Sequence, residues 1–266
     1  MMKRCRSAPR NIVITGASSG LGASLAQAYA APGVTLGLIG RSETRLEAIA
    51  GRCRTAGAAV ETASLDVADA AGVETYLARF DAGTPIDLLI ANAGTSSGIA
   101  ADGVAEGVDA ATRQIRTNLL GAINTVEPVI PMLRQRGSGQ IVLVASLAGY
   151  RGLPYSPGYS ASKAGVRAYG EGLRALLAPA GVAVSVVIPG FFESPMTDRF
   201  IGAHPLVLSL SQATRIVRNG IERRRARIVF PRLLAAGLRF CDLAPAFLGD
   251  RILRAFRFHI IPPGSG

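Results

Sequence analysis

Asn11-Ile-Val-Ile-Thr-Gly-Ala-Ser-Ser-Gly-Leu-Gly22 is the stretch that decides the fold. Asn11 to Ile14 is a short apolar run suited to a buried strand, and Leu21 to Ala31 carries the small and apolar residues of a helix packed on a sheet. Between them, Thr15 to Gly22 holds glycines at 16, 20 and 22. Glycine permits a tight turn and lets a ligand approach the backbone, while the free N–H groups of a helix start form an anion site. Glycine clusters also occur at purely structural turns. The position of this one, between strand and helix, gives it weight.

The same alternation continues outward. Val34 to Ile39 reads as a strand, Glu43 to Ala56 as a helix, Val60 to Leu65 as a strand, Ala70 to Phe80 as a helix and Asp87 to Ala91 as a strand. A long helix is expected from Gly107 to Gln135, then the strand Ile141 to Ala145, a helix carrying Tyr159, and the apolar strand Val182 to Ile188. Strands alternating with helices specify an α/β fold, a doubly wound parallel sheet with helices on both faces. No fixed repeat or low-complexity linker interrupts it, so residues 1–266 are expected to form a single domain.

The net charge of +11 is unevenly placed. Residues 1–10, a basic N-terminal arm, hold four Lys/Arg and no acid; residues 11–214 hold fourteen Lys/Arg against fifteen Asp/Glu; residues 215–266 hold eleven Arg against three acids. No nucleic-acid reading motif accompanies the basic ends, so no nucleic-acid partner is expected. Cys5, Cys53 and Cys241 are far apart and form no C-x-x-C, and His204 and His259 lack a partner at ligand spacing. These residues point to a reducing, cytoplasmic setting and no metal. The N-terminus runs straight into the first strand without a separate hydrophobic segment, which argues against export.

Chemistry is concentrated in Tyr159-Ser-Ala-Ser-Lys163, with Ser146 thirteen positions upstream of the tyrosine at the end of an apolar strand. On a helix, a spacing of four puts Tyr159 and Lys163 on one face. The ammonium would favour the phenolate, bringing a group that ordinarily titrates near pH 10 within reach of proton exchange with a substrate oxygen. Taken singly, each residue also fits packing, a cap or an exposed lysine. Tyr155 follows Ser146 too but has no lysine four residues on, and is expected to be a wall residue from the loop Gly149 to Gly158.

Together with the glycine turn, these residues resemble the short-chain dehydrogenase/reductase family over about Asn11 to Met196. Seven motifs agree in order: Thr15 to Gly22, Leu65-Asp-Val67, Asn92-Ala-Gly94, Asn118 within Thr117 to Gly121, Ser146, Tyr159 to Lys163, and Pro189-Gly190. The resemblance implies a Rossmann-type fold and a nicotinamide dinucleotide. Gly16, Ser18, Ser19, Gly20, Leu21 and Gly22 would cradle its pyrophosphate. Asp66 and Val67 would hold the adenine, and Asn92, Ala93 and Gly94 would line the floor beside the ribose. Pro189, Gly190 and Ser194, a serine where threonine is usual, would flank the nicotinamide. Tyr159 would be the acid/base, Ser146 a second hydrogen bond to the reacting oxygen, and Lys163 the ribose ligand that depresses the phenol pKa. Asn118 would keep a water linking Lys163 to solvent.

NAD users in the family carry an acid where Gly40 stands, whereas Arg41, with Ser42 beside it, offers a guanidinium suited to a 2′-phosphate. NADP, with NADPH preferred over NADH, is the expected cofactor; Arg41 as a solvated helix-start residue is the alternative. Residues 191–212, with Phe191, Phe192, Met196, Phe200 and Ile201, would form a lid for an apolar ketone or alcohol. The final third departs from the family, since no terminal strand and glycine-rich tail are recognisable. Residues 232–266 are instead expected to form a basic amphipathic helical extension, either docked on the protein or lying at an anionic membrane surface on the inner face. The expected function is NADP(H)-dependent interconversion of a carbonyl and an alcohol by a homo-oligomer, dimer or tetramer, built on the helices of Asn118 and Tyr159. The alternatives are a catalytically silent NADP(H) scaffold or redox sensor, and a sugar-nucleotide epimerase, for which the chain beyond Pro189 is short.

Overall fold

A computed structural model describes residues 8–98, 105–202, 206–255 and 258–260. The arm up to Ser7 (with Cys5), His204 and the last six residues of the extension lie outside them. Strands β1 (Asn11–Thr15), β2 (Thr35–Gly40), β3 (Ala59–Ser64), β4 (Leu88–Ala91), β5 (Gln140–Val144), β6 (Ala183–Pro189) and β8 (Arg227–Phe230) form one parallel sheet in the order β3-β2-β1-β4-β5-β6-β8. A two-stranded antiparallel pair joins β7 (Phe200–Gly202) to β9 (Phe258–Ile260). Strand order reverses between β1 and β4, which opens a crevice at the carboxyl ends of these strands.

Both sheet faces are covered, which is why the strands read as unbroken apolar runs. Ile12, Ile14, Leu88, Ile90 and Val142 pack on one side, under helices α1 (Gly20–Tyr29), α2 (Glu43–Thr55) and α8 (Leu210–Glu222). Val13, Leu89, Ile141 and Leu143 pack on the other, toward α3 (Ala70–Gly83), α5 (Gly121–Val126), α6 (Val129–Arg136) and α7 (Pro157–Leu177). Alternate residues of one strand thus serve two cores.

Two expectations are corrected. The long helix from Gly107 to Gln135 is three: α4 (Val108–Gln114), α5 and α6, with a π-helical turn at Ile115–Leu120 and a break at Pro128. The π turn carries Asn118, and such turns recur where a side chain must be re-aimed toward a site. The second correction is the missing terminal strand. Ile228-Val-Phe230, hidden between arginines, is the core of β8 and pairs with Val187 to Pro189 of β6. From Pro231 the chain forms α9 (Arg232–Leu243) and α10 (Ala246–Ala255), then β9, which returns to pair with the segment expected to be the lid.

Candidate active site

The glycine turn sits at the crevice. Gly16 has φ +66°, a conformation that strains any side chain, and a Cβ there would stand 2.8 Å from Ala93 Cα. The turn is tied to the end of β4: Thr15 Oγ1 accepts from the N–H groups of Asn92 (3.1 Å) and Ala93 (3.2 Å), and Asn92 Nδ2 donates to Thr15 O (3.0 Å). Helix α1 begins at this turn with no acidic residue in its first turn and no side-chain bond from its cap Ser19. Its dipole and N–H groups therefore face the crevice unopposed by negative charge.

At the floor, a Cβ on Gly94 would come within 3.3 Å of both Asn118 Oδ1 and Lys163 Nζ, a tight approach that glycine avoids. Asn118 is buried and committed: its Oδ1 accepts from Thr95 N–H (2.7 Å), and its Nδ2 donates to Thr95 O and Ser162 Oγ (both 2.9 Å). It pins the loop after β4 to helix α7. Farther along, Asn124 Nδ2 holds the Val67 carbonyl (3.0 Å), and Asp66 Oδ1 accepts from Ala68 N–H (3.0 Å).

Ser146 lies two residues beyond β5, and Tyr159 and Lys163 lie one turn apart on α7. The Ser146 hydroxyl stands beside the Tyr159 phenol, and its Oγ accepts the Ala148 N–H at 3.1 Å. Burial pushes the phenol pKa above its ordinary value, and the Ser146 hydroxyl pulls in the opposite direction. Lys163 is buried, its pKa lowered by desolvation to about 8, and its Nζ donates to Val144 O at 2.8 Å. The Lys163 ammonium faces this backbone carbonyl and stands 5.8 Å from the centre of the Tyr159 ring, and burial is the largest cause of the raised phenol pKa.

Helix α7 is capped from outside. Glu106 Oε2 accepts the Gly158 N–H (2.8 Å), and its other oxygen accepts from Gln114, whose Oε1 takes the Ser97 N–H (2.9 Å). Sequence reading missed Glu106 because the contact joins residues 52 apart.

A cavity of about 320 Å³ joins these parts. On its wall are Gly16, Ser18, Ser19, Gly20 and Leu21 from the turn, Arg41, Asp66 and Val67 at one end, and Asn92, Ala93 and Gly94 on the floor. Ser146, Tyr159, Lys163, Pro189, Gly190 and Ser194 complete it at the other end. Gly22, Ser42 and Asn118 are not on the wall: Gly22 packs against Gly16 O, Ser42 precedes α2, and Asn118 stands behind Gly94. Tyr155 is not a lining residue either; Leu153 and Ser156 represent its loop. Arg45, one turn beyond Arg41, also reaches the cavity.

Phe191, Phe192, Met196 and Phe200 line the mouth, with Phe191 and Phe200 edge to face at 5.7 Å. Ser194 Oγ accepts the Thr197 N–H (3.2 Å), and Arg199 reaches across to Ser96 O (3.0 Å). The extension supplies the rest: Leu234 and Leu238 of α9 and Leu253 of α10 complete the apolar wall. Arg151 fastens these helices through Asp242 (3.8 Å) and Asp250 (2.8 Å), and Arg239 stacks over Tyr150 at 4.6 Å. The i, i+4 spacing of Leu234 and Leu238 was visible in the sequence; their partner surface was not.

The glycine cradle, the uncharged helix start and the bare Gly94 floor fit a dinucleotide. Among the described residues no cluster suits a metal ion, and no helix is long and apolar enough to cross a membrane. The sequence model described as short chain dehydrogenase matches residues 10–202. An uncharacterized oxidoreductase of Myxococcus xanthus is 35% identical over 253 residues, covering 93% of this chain and 98% of its own. Among solved structures, a short-chain dehydrogenase from Sphingobium yanoikuyae in complex with NADPH superposes with TM-score 0.76 at 28% identity, covering 92% of this chain and 93% of its own. A short chain dehydrogenase/reductase from Burkholderia phymatum in complex with NAD gives TM-score 0.76 at 25% identity, with 86% and 92% covered.

Proposed function

The chain belongs to the short-chain dehydrogenase family, and from that premise we propose that it is an NADPH-dependent reductase of apolar ketones or aldehydes, with Tyr159 as the proton donor. The observation that carries the reading is the pairing of the Ser146 hydroxyl with the Tyr159 phenol on the wall of the cavity that the glycine turn also lines. Bound dihydronicotinamide would supply the hydride. Gly16 to Leu21 would hold the pyrophosphate, Lys163 the nicotinamide ribose, and Pro189, Gly190 and Ser194 the ring.

A phenol, with an ordinary pKa near 10, carries its proton at neutral pH and is available as a donor in the direction of reduction. Tyr159 Oη would give that proton to the carbonyl oxygen while Ser146 Oγ holds the same oxygen, stabilising the negative charge that develops there. Lys163, protonated below about pH 8, would face the phenolate left behind. Asn118 acts as a positioning residue through Thr95 and Ser162.

Choice of NADPH is supported by Gly40, where no acid opposes a 2′-phosphate, and by Arg41 and Arg45 together on that side of the cavity. An apolar substrate is supported by the wall of Phe191, Phe192, Leu234, Leu238 and Leu253, with residues 191–202 and 206–212 as lid. Pairing of copies through α4 and α7 is supported by exposed Val108, Leu120 and Leu176 on and beside those helices. The test is NADPH oxidation against a panel of ketones with Tyr159→Phe as control. Turnover on bulky apolar ketones that falls at least about 10²-fold in the variant is the expected result. Tight NADPH binding without turnover on any ketone would favour a redox sensor instead.

A further inference from the structure

The α9–α10 hairpin is apolar on two sides. Its inner side carries the cavity-wall leucines 234, 238 and 253. Its outer side carries Leu233, Ala236, Gly237, Phe240 and Leu243 at helical spacing on α9, followed by Phe247 on α10. Leu233 is 76% exposed, Phe240 64%, Leu243 87% and Phe247 74%. Four large apolar side chains on one hairpin differ from the single scattered ones of an ordinary surface.

Charge selects what covers this stripe. Arg232 flanks it on α9 and Arg251 lies beside Phe247 on α10, both exposed, while Arg239 on the same side of α9 is stacked on Tyr150. Among the described residues the acids of the hairpin are Asp242 and Asp250, and Arg151 holds both. Two copies meeting here about a twofold axis would set arginines near arginines with those carboxylates already engaged. An anionic lipid surface suits both parts, since acyl chains accept the leucines and phenylalanines and headgroups accept the guanidiniums.

We propose that the outer stripe of α9–α10 is a docking surface for an anionic lipid bilayer, on which the protein lies peripherally. Only the hairpin then separates the lipid from the cavity wall, so an apolar carbonyl compound dissolved in the bilayer has a short route to the site. That second part rests on the reductase reading above; the docking does not.

The experiment is flotation of the full chain with vesicles of phosphatidylglycerol and phosphatidylcholine, compared with vesicles of phosphatidylcholine alone. It is run beside the variants F240S/L243S/F247S and R232Q/R251Q, with circular dichroism to confirm folding and reduction of a water-soluble ketone as a separate readout. The expected result is flotation with the anionic vesicles only, lowered at least about tenfold by either variant. Equal binding to both vesicle types, binding retained in the apolar variant, or no flotation of the wild-type chain overturns the proposal. So does a dimer that the apolar variant dissolves, which would put a second copy on this face. Flotation intact with no turnover on any ketone, soluble or apolar, sinks the reductase reading alone.

Discussion

Lys163 Nζ gives a 2.8 Å hydrogen bond to Val144 O and stands 5.8 Å from the centre of the Tyr159 ring. A buried cation is thus moored to the end of β5 beside the aromatic group with which it shares a helix face. The arrangement ties the chemistry of the pair to the stability of the sheet.

That tie predicts a pH signature. The folded-state pKa of Lys163 is about 8 against 10.5 for the free group, so between these values the unfolded chain binds a proton that the folded one releases, and stability rises with pH. The burial cost fully present below about pH 8 is on the order of 3 kcal/mol. Lys163→Met removes it. Urea unfolding without added dinucleotide should show the difference between variant and wild type shifting by about 2 kcal/mol, in favour of wild type, from pH 7.5 to 9.5. A pH-independent difference would contradict the lowered pKa.

Arg41 and Arg45 should discriminate between the two dinucleotides. Replacing both with alanine removes the charge-assisted bonds available to a 2′-phosphate, each worth about 1.5–3 kcal/mol. KM for NADPH should rise at least about tenfold while KM for NADH changes little. Equal effects on both would place the guanidiniums elsewhere than at the 2′ position.

Leu238 tests the contribution of the extension to the cavity. Leu238→Ala withdraws apolar surface worth roughly 1–2 kcal/mol from the wall. kcat/KM for a bulky apolar ketone should fall about tenfold, and NADPH affinity, measured by fluorescence titration, should stay the same. A loss confined to NADPH affinity would move this residue out of the substrate wall.

Glu106 is the remote cap of the helix that bears Tyr159. Glu106→Ala leaves Gly158 N–H without its partner and should cost about 1 kcal/mol of stability in chemical denaturation. Because the first turn of α7 holds the phenol, kcat should fall with it while NADPH affinity is retained. An unchanged unfolding midpoint would mean that the cap adds nothing.

The sheet was legible because strand and helix periods alternate without interruption from Asn11 to Ile188, and the glycine turn marks where the crevice opens. The break in the helix after Gly107 was half legible: Pro128 stands in the sequence, but the π turn at Ile115–Leu120 has no local signal and goes with the bonds from Asn118 to Thr95 and Ser162. Strand β8 escaped because three apolar residues between arginines make a strand only when β6 is there to pair with them. The extension was read as amphipathic, with one apolar face to place. It has two, and only packing distinguishes Leu234 and Leu238, turned inward, from Leu233 and Phe240, turned out.

Pairing of Phe200–Gly202 with Phe258–Ile260 sets an order on the making of this protein. A chain emerging from the ribosome can complete its seven-stranded sheet, and with it the glycine turn and the Tyr159 helix, before the residues that brace the mouth have emerged. A nascent molecule would therefore be able to take up its dinucleotide before it can choose among substrates.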